Sequence, residues 1–218
     1  MNSANLKKVL SVYNEKNFFS TERLFKSFKS KFLVEACSAL LNEENIDLET
    51  ATLIYNEIEI RKSKKKTFYL NQISQYFRSI NHYPIPWLKK ARQKMSLIEL
   101  PKFNDKYKSN IYLVLRDGYS ERNFRYGIYV GTTTKTIQER YLQHTSGTKS
   151  GRGLKKNGLQ IMKSLFPLKR IKGKERLYYE SAINILLKSV IPKVTGDVQK
   201  PINIWPKEFQ KKIKKFIN

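Results

Sequence analysis

Two tyrosines in apolar runs, an arginine with a histidine four residues behind it, and a single glutamate in an apolar stretch carry the chemical potential of this chain. They are Tyr112 and Tyr129, Arg140 and His144, and Glu180. An arginine neutralises charge developing on phosphate oxygens, a carboxylate holds a hard divalent cation, and hydroxyl and imidazole groups move protons. Together these are the parts needed to hydrolyse a phosphodiester with one metal ion. Arg140 and His144, at i and i+4, project from nearly one face of a helix and flank the apolar stripe of Ile137 and Tyr141, which predicts a cleft edge. Glu180 borders Ile183 and Leu187. A carboxylate at the margin of an apolar face needs a partner, and either a bound cation or a salt bridge to Arg140 or Arg176 supplies one. A tyrosine hydroxyl titrates near 10, so it is a base at neutral pH only where cations favour its phenolate. Arg140, a metal ion and His144 would favour that form or pass its proton onward.

The rest of the chain fits an anionic substrate. The 218 residues hold 43 Lys+Arg against 18 Asp+Glu, a formal charge of +25. Such a surplus attracts polyanions, so nucleic acid, here double-stranded DNA, is the expected partner and an anionic membrane the second choice. No apolar run reaches the roughly 18 residues of a spanning helix, and the first residues lack a basic segment followed by an apolar core, so a cytoplasmic location without membrane partners is expected. One cysteine, Cys37, and two histidines, His82 and His144, exclude an internal disulfide, a cysteine-rich zinc site and a multi-histidine metal site. Cys37 lies in an apolar helical context and reads as a buried structural thiol. A metal held by carboxylate and water would be Mg²⁺ or Mn²⁺.

These residues must be positioned by two kinds of structure. Residues 1–100 predict a helical, DNA-binding domain. Apolar positions recur at helical spacing in Leu6, Val9, Leu10 and Tyr13, and again in Leu24, Phe28, Phe32, Leu33 and Ala36. Asp47 is a plausible N-cap for a helix through Ala51, Ile54, Tyr55 and Ile58, which runs into Arg61-Lys62-Ser63-Lys64-Lys65-Lys66. Within that run Lys64, Lys65 and Lys66 are either a solvated helix end or phosphate contacts. Two further helices between Thr67 and Met95 are broken by a turn holding His82, and the second, opening at Pro86, presents Lys89, Lys90 and Arg92 as a basic face of the kind that reads a major groove. Pro101 to Asp105 marks the domain boundary. Beyond it, Asn110–Leu115 and Tyr126–Val130 predict an antiparallel hairpin, followed by a helix over Thr136–Thr145. A mobile loop is predicted over Ser146–Gly158, with Lys149, Arg152 and Lys155 on the DNA backbone. A helix over Leu159–Phe166, a short strand over Leu168–Ile171 and a helix over Lys174–Ser189 complete the domain, and residues 205–218 predict a basic C-terminal helix.

Residues 110–203 resemble a GIY-YIG nuclease domain. Its first strand motif is matched by Asn110-Ile111-Tyr112, with asparagine where glycine is usual, and its second by Tyr129-Val130-Gly131. Gly127-Ile128-Tyr129 spells the first motif literally, but Tyr129 already serves the second. Arg140 matches the arginine of the following helix. His144 matches the histidine found four residues later in members that resemble restriction enzymes, Glu180 the metal-binding glutamate, and Pro201-Ile202-Asn203 the closing asparagine. Thr132 stands where many members carry a lysine, and the separations Tyr112–Tyr129 and Glu180–Asn203 exceed the usual spacing. The resemblance implies an α+β fold, a small antiparallel sheet with flanking helices over residues 106–204. It implies an Mg²⁺- or Mn²⁺-dependent endonuclease, an endodeoxyribonuclease of restriction or phage-defence type, acting alone or as a homodimer on DNA. In it Tyr112, helped by His144, deprotonates water, Tyr129 orients water or phosphate, Arg140 neutralises charge and Glu180 holds the metal. A homing or mobility endonuclease and a non-catalytic nucleic-acid-binding protein of the same fold are the alternatives.

Overall fold

A run of five fully buried apolar residues, Ile111 to Leu115, dictates the centre of the molecule's sheet. Only a strand covered on both faces uses such a run without alternation. The computed structural model describes residues 3–11, 23–42, 46–98, 106–119, 125–148, 150–151, 153–165, 170–173, 175–196, 207–208 and 210–211. It is an α+β protein whose described residues form eight helices and one four-stranded sheet. The chain divides into two compact units, Met1–Lys89 and Lys90–Asn218.

The first unit is helical: α1 (Ser3–Ser11), α2 (Ser30–Leu40), α3 (Leu48–Ile60) and α4 (Lys66–Ser79), with α5 (Leu88–Ser96) spanning the division. α2, α3 and α4 pack against one another through Leu33, Ala36, Cys37 and Leu40, through Ala51, Ile54 and Ile58, and through Ile73 and Phe77, all buried. Each set repeats at three to four residues, one helix face apiece. Asp47 caps α3 as its position predicts, its carboxylate accepting from the Thr50 backbone N–H at 3.0 Å. Leu24 and Phe28 do not continue α2 backwards, because residues 24–28 are turns and a bend. Of the basic run, Arg61 is structural. It donates to Glu57 Oε1 at 2.8 Å and to the Phe25 carbonyl at 2.8 Å, and Arg23 grips both Glu57 oxygens, Oε1 at 2.7 Å and Oε2 at 3.1 Å. Although burial alone would push Glu57 up, hydrogen bonds from Arg23 and Arg61 hold it below the usual carboxylate range.

The second unit carries β1 (Asn110–Arg116), β2 (Gly127–Thr133), α6 (Ile137–Ser146), α7 (Leu154–Asn157), β3 (Gly158–Ile161), α8 (Glu175–Lys188) and β4 (Val194–Thr195). The strand order is β3-β1-β2-β4. β1 pairs antiparallel with β2, as the hairpin pattern predicts, and with β3. β4 runs parallel to β2, so the sheet is mixed where an antiparallel one was expected. The helix predicted over Leu159–Phe166 is also replaced at its start. Residues 158–161 extend along the second edge of β1, whose backbone donors and acceptors need partners more than four residues need a helical turn. Of the strand predicted over Leu168–Ile171, residues 168 and 169 lie outside the described residues, and Ile171 makes a single bridge to Ser109. α8 packs on β1, β2 and β4. On the other face Tyr112, Val114 and Leu154 form a buried cluster that Tyr129, Ile137 and Tyr141 cover. Of the predicted C-terminal helix only Lys207, Glu208, Gln210 and Lys211 lie among the described residues, and all four are helical. No helix among the described residues is long and apolar enough to cross a membrane.

Candidate active site

The register of the hairpin sets Tyr112 directly opposite Gly131. Strand side chains alternate between faces, so Tyr112, Tyr129 and Gly131 share one face and Thr132 takes the other. Gly131 is a notch. A Cβ there would stand 2.6 Å from the Tyr112 oxygen and 2.6 Å from the Tyr129 ring, so only glycine lets the two rings close up to a centroid distance of 6.1 Å. Asn110, where the motif has glycine, uses its amide to bond the Lys135 carbonyl at 3.0 Å, which ties the start of β1 to the chain entering α6.

α6 is anchored at its first turn by a capping box: Thr136 accepts from the Glu139 N–H at 3.2 Å, and Glu139 accepts from the Thr136 N–H at 2.9 Å. The Tyr141 hydroxyl donates to the Leu159 carbonyl at 2.6 Å and fixes the helix to β3. This docking brings Arg140 and His144 over Tyr112. The Tyr112 hydroxyl lies 2.6 Å from His144 Nε2, the His144 ring stands 5.5 Å from Tyr129, and Arg140 hydrogen-bonds Tyr112. Arg140 Nη1 also donates to Gln143 at 3.2 Å.

His144 is fully buried rather than at a cleft edge, and a residue not foreseen from sequence fixes its tautomer. The Gly151 backbone N–H donates to Nδ1 at 2.8 Å, so Nδ1 is unprotonated, Nε2 carries the hydrogen, and His144 donates to Tyr112. Of the two roles expected of the histidine, favouring the phenolate or passing its proton onward, this tautomer fits the first. Burial first, and the neighbouring Arg140 charge second, lower the His144 pKa to about 4, which keeps the ring neutral at neutral pH. Burial raises the Tyr112 pKa well above its ordinary value, the Tyr129 neighbour adds to the rise, and Arg140 opposes it. The segment predicted as a mobile loop is therefore part of the site. Ser150 donates to the His144 carbonyl at 3.0 Å and accepts from the Lys155 N–H at 3.1 Å, and α7 follows at once.

Glu180 enters from α8. It is 4% exposed, and the Thr132 hydroxyl donates to its carboxylate at 3.3 Å. Thr132 adjoins Gly131 but faces the other side of β2, so Glu180 meets the end of that strand from the face opposite Tyr112. The four groups Tyr112, Tyr129, Arg140 and His144 are brought together; Glu180 is linked to them through one strand residue. Lys135, three residues past Thr132, is exposed. Among the described residues no three His, Cys, Asp or Glu side chains converge as metal ligands. What exists is a hard-oxygen donor set of one buried carboxylate beside a hydroxyl, which fits Mg²⁺ or Mn²⁺, ions that complete their shells with water and phosphate oxygens.

The expected DNA contacts divide. Lys64, Lys65, Lys89, Lys90 and Lys155 are exposed and Lys66 is half-buried. Arg92, expected on the outer face of α5, is instead buried, like Ala91 and Met95 of the same helix. Lys149, Arg152 and Asn203 lie outside the described residues. Cys37 is buried as expected, and burial pushes its thiol far up, which makes it inert. Compared with known proteins, the chain matches no family model, no curated protein and no solved structure.

Proposed function

We propose that the chain is a metal-dependent endonuclease that hydrolyses DNA phosphodiester bonds, built on a GIY-YIG type of nuclease domain over residues 106–204 and serving restriction or phage defence. The observation that carries this reading is the buried Tyr112 hydroxyl between Arg140 and a His144 locked as a neutral donor. Both neighbours donate to the phenol oxygen and oppose the rise that burial imposes on it, and a cation held at Glu180 would favour the phenolate further. That phenolate takes the proton of the attacking water. His144 stays neutral throughout and holds the oxygen in place, Tyr129 orients water or phosphate, and Arg140 neutralises charge on the non-bridging oxygens. Glu180, steadied by Thr132, would hold Mg²⁺ or Mn²⁺, which supplies Lewis acidity toward a phosphate oxygen and a more acidic water. The charge of +25 supports a polyanionic substrate.

The test is incubation of the full chain with plasmid and phage DNA, with and without Mg²⁺. A ladder of discrete fragments supports restriction and a smear supports a nonspecific nuclease; intact DNA with both Mg²⁺ and Mn²⁺ overturns the reading. Glu180→Gln should abolish cleavage while DNA binding persists. Full activity in that variant, or in excess chelator, removes the metal from the account.

A further inference from the structure

At the far end of β1 from the proposed active site, Arg116 is a cation held almost wholly inside the protein, 7% exposed. A buried guanidinium is costly unless its charge and its donors are met. The fold meets few of them. Nη1 donates to the Thr195 hydroxyl at 3.0 Å, Nε is buried without an acceptor among the described residues, and the charge lies 5.2 Å from the centroid of the Tyr119 ring. The carboxylate nearest in sequence, Asp117, is engaged by Arg125 through bonds of 2.7 and 2.6 Å. Tyr119 has a buried hydroxyl that also lacks a partner among the described residues. Two neighbouring side chains thus hold donors with no acceptor there, and one of them carries a positive charge that no carboxylate among the described residues is seen to meet. The missing group is an anionic acceptor.

The way in is beside Gly153. It is exposed, its φ is +75°, and a Cβ there would collide with Arg116 Nη2. The guanidinium edge therefore lies under a point of surface that carries no side chain. We propose that Arg116, steadied by Thr195 (whose hydroxyl accepts from Nη1 and donates to the Ile128 carbonyl at 3.2 Å) and flanked by Tyr119, forms an oxyanion subsite that takes a phosphate group. Arg116 offers a planar fork suited to phosphate, and Tyr119 adds a hydroxyl donor. Tyr112 and Arg116 lie on one face of the same strand, four residues or roughly 13 Å apart at about 3.3 Å per residue. The phosphate is that of a nucleic acid backbone, a few linkages from the bond to be cut. This source rests on the nuclease reading, whereas the anion site itself does not.

Two measurements on the full chain separate these points. In the first, inorganic phosphate is titrated while the Arg116 Nε–H resonance is followed by NMR, against chloride at matched ionic strength. A saturable shift with phosphate alone is expected, and Gly153→Ala, which crowds Nη2, should abolish it. An unmoved resonance, or one that chloride moves equally, overturns the site. So does a Glu121→Gln or Asp197→Asn chain whose Arg116 resonance moves before any phosphate is added, since that carboxylate would then be the acceptor. In the second, DNA duplexes with one uncharged methylphosphonate linkage at successive positions are bound to Glu180→Gln chain. Arg116→Lys should weaken binding of the fully charged duplex about tenfold, the worth of one charge-assisted bond, and should cost nothing further when one particular linkage is neutral. A phosphate shift with no such linkage assigns the site to free phosphate and overturns the backbone source. A chain that binds phosphate at Arg116 yet never cuts DNA removes the nuclease reading and leaves the anion site standing.

Discussion

At Gly131 the absence of a side chain is as functional as any side chain nearby. A methyl group there would overlap the Tyr112 hydroxyl and the Tyr129 ring, and overpacking of this kind costs about 1–3 kcal/mol. Gly131→Ala should lower the melting temperature and also reduce cleavage well below what the lower stability explains, read from melting curves and rates on folded protein. His144 gives a second residue-level outcome. Its pKa falls from the ordinary imidazole value of 6.5 to about 4 in the folded protein. Between those values the unfolded chain binds more protons than the folded one, so acidification favours unfolding there. Denaturant titrations should show stability falling as pH drops from about 6.5 to about 4, and His144→Gln should flatten that slope. The side chains of this site were legible from sequence because each has a type and a spacing. Gly151 was not, since its contribution is a backbone N–H that any residue but proline possesses, and its meaning arises only when the chain after α6 folds back onto the His144 ring.

Among the elements, α6 does most of the positioning, and its Thr136–Glu139 capping box sets where it begins. Removing such a cap costs about 1 kcal/mol. Thr136→Ala should therefore reduce stability by about that amount in denaturant titration, with cleavage at low temperature kept. A fall in cleavage far beyond the fall in stability would mean that the cap positions Arg140 as well. The hairpin and the helices α3, α4, α6 and α8 could be read from periodicity, because each buries a regular face. β3 could not. Residues 158–161 have no strand pattern of their own, and they become a strand because β1 offers them an unpaired edge. β4 is a two-residue strand set parallel by the return from α8, a tertiary outcome with no local signal. The apolar run of β1 marked a strand over Asn110–Leu115, but only the structure revealed that it runs on to Arg116, which sets that residue on one face with Tyr112.

For the molecule as a whole, charge is the dominant property, and most of it lies in the second compact unit: Met1–Lys89 holds 14 Lys+Arg against 9 Asp+Glu, and Lys90–Asn218 holds 29 against 9. Lys64 and Lys65 are exposed and Lys66 half so, in a unit that holds none of the proposed catalytic groups. Neutralising all three should weaken DNA binding equally for all sequences and lower the salt slope by up to about 0.9 for each phosphate that the chain no longer neutralises. Cleavage at saturating enzyme should not change. An unchanged salt slope would remove this run from the DNA interface. Lys90 is the exposed candidate on α5 for altering which sequences are cut, since the burial of Arg92 takes it out of that role.

The central claim is that the Tyr112 oxygen, held by Arg140 and His144, takes the proton of the attacking water. Single-turnover cleavage of a DNA duplex by Tyr112→Phe, beside Tyr178→Phe as a control, tests it most directly. Phenylalanine keeps the ring and removes only the oxygen. The account predicts that Tyr112→Phe loses most of the rate at saturating enzyme, on the order of 10² or more for a general base. It also predicts that Tyr112→Phe binds DNA like wild type and that Tyr178→Phe cuts normally. A Tyr112→Phe chain that folds, binds and cuts at the wild-type rate would contradict it.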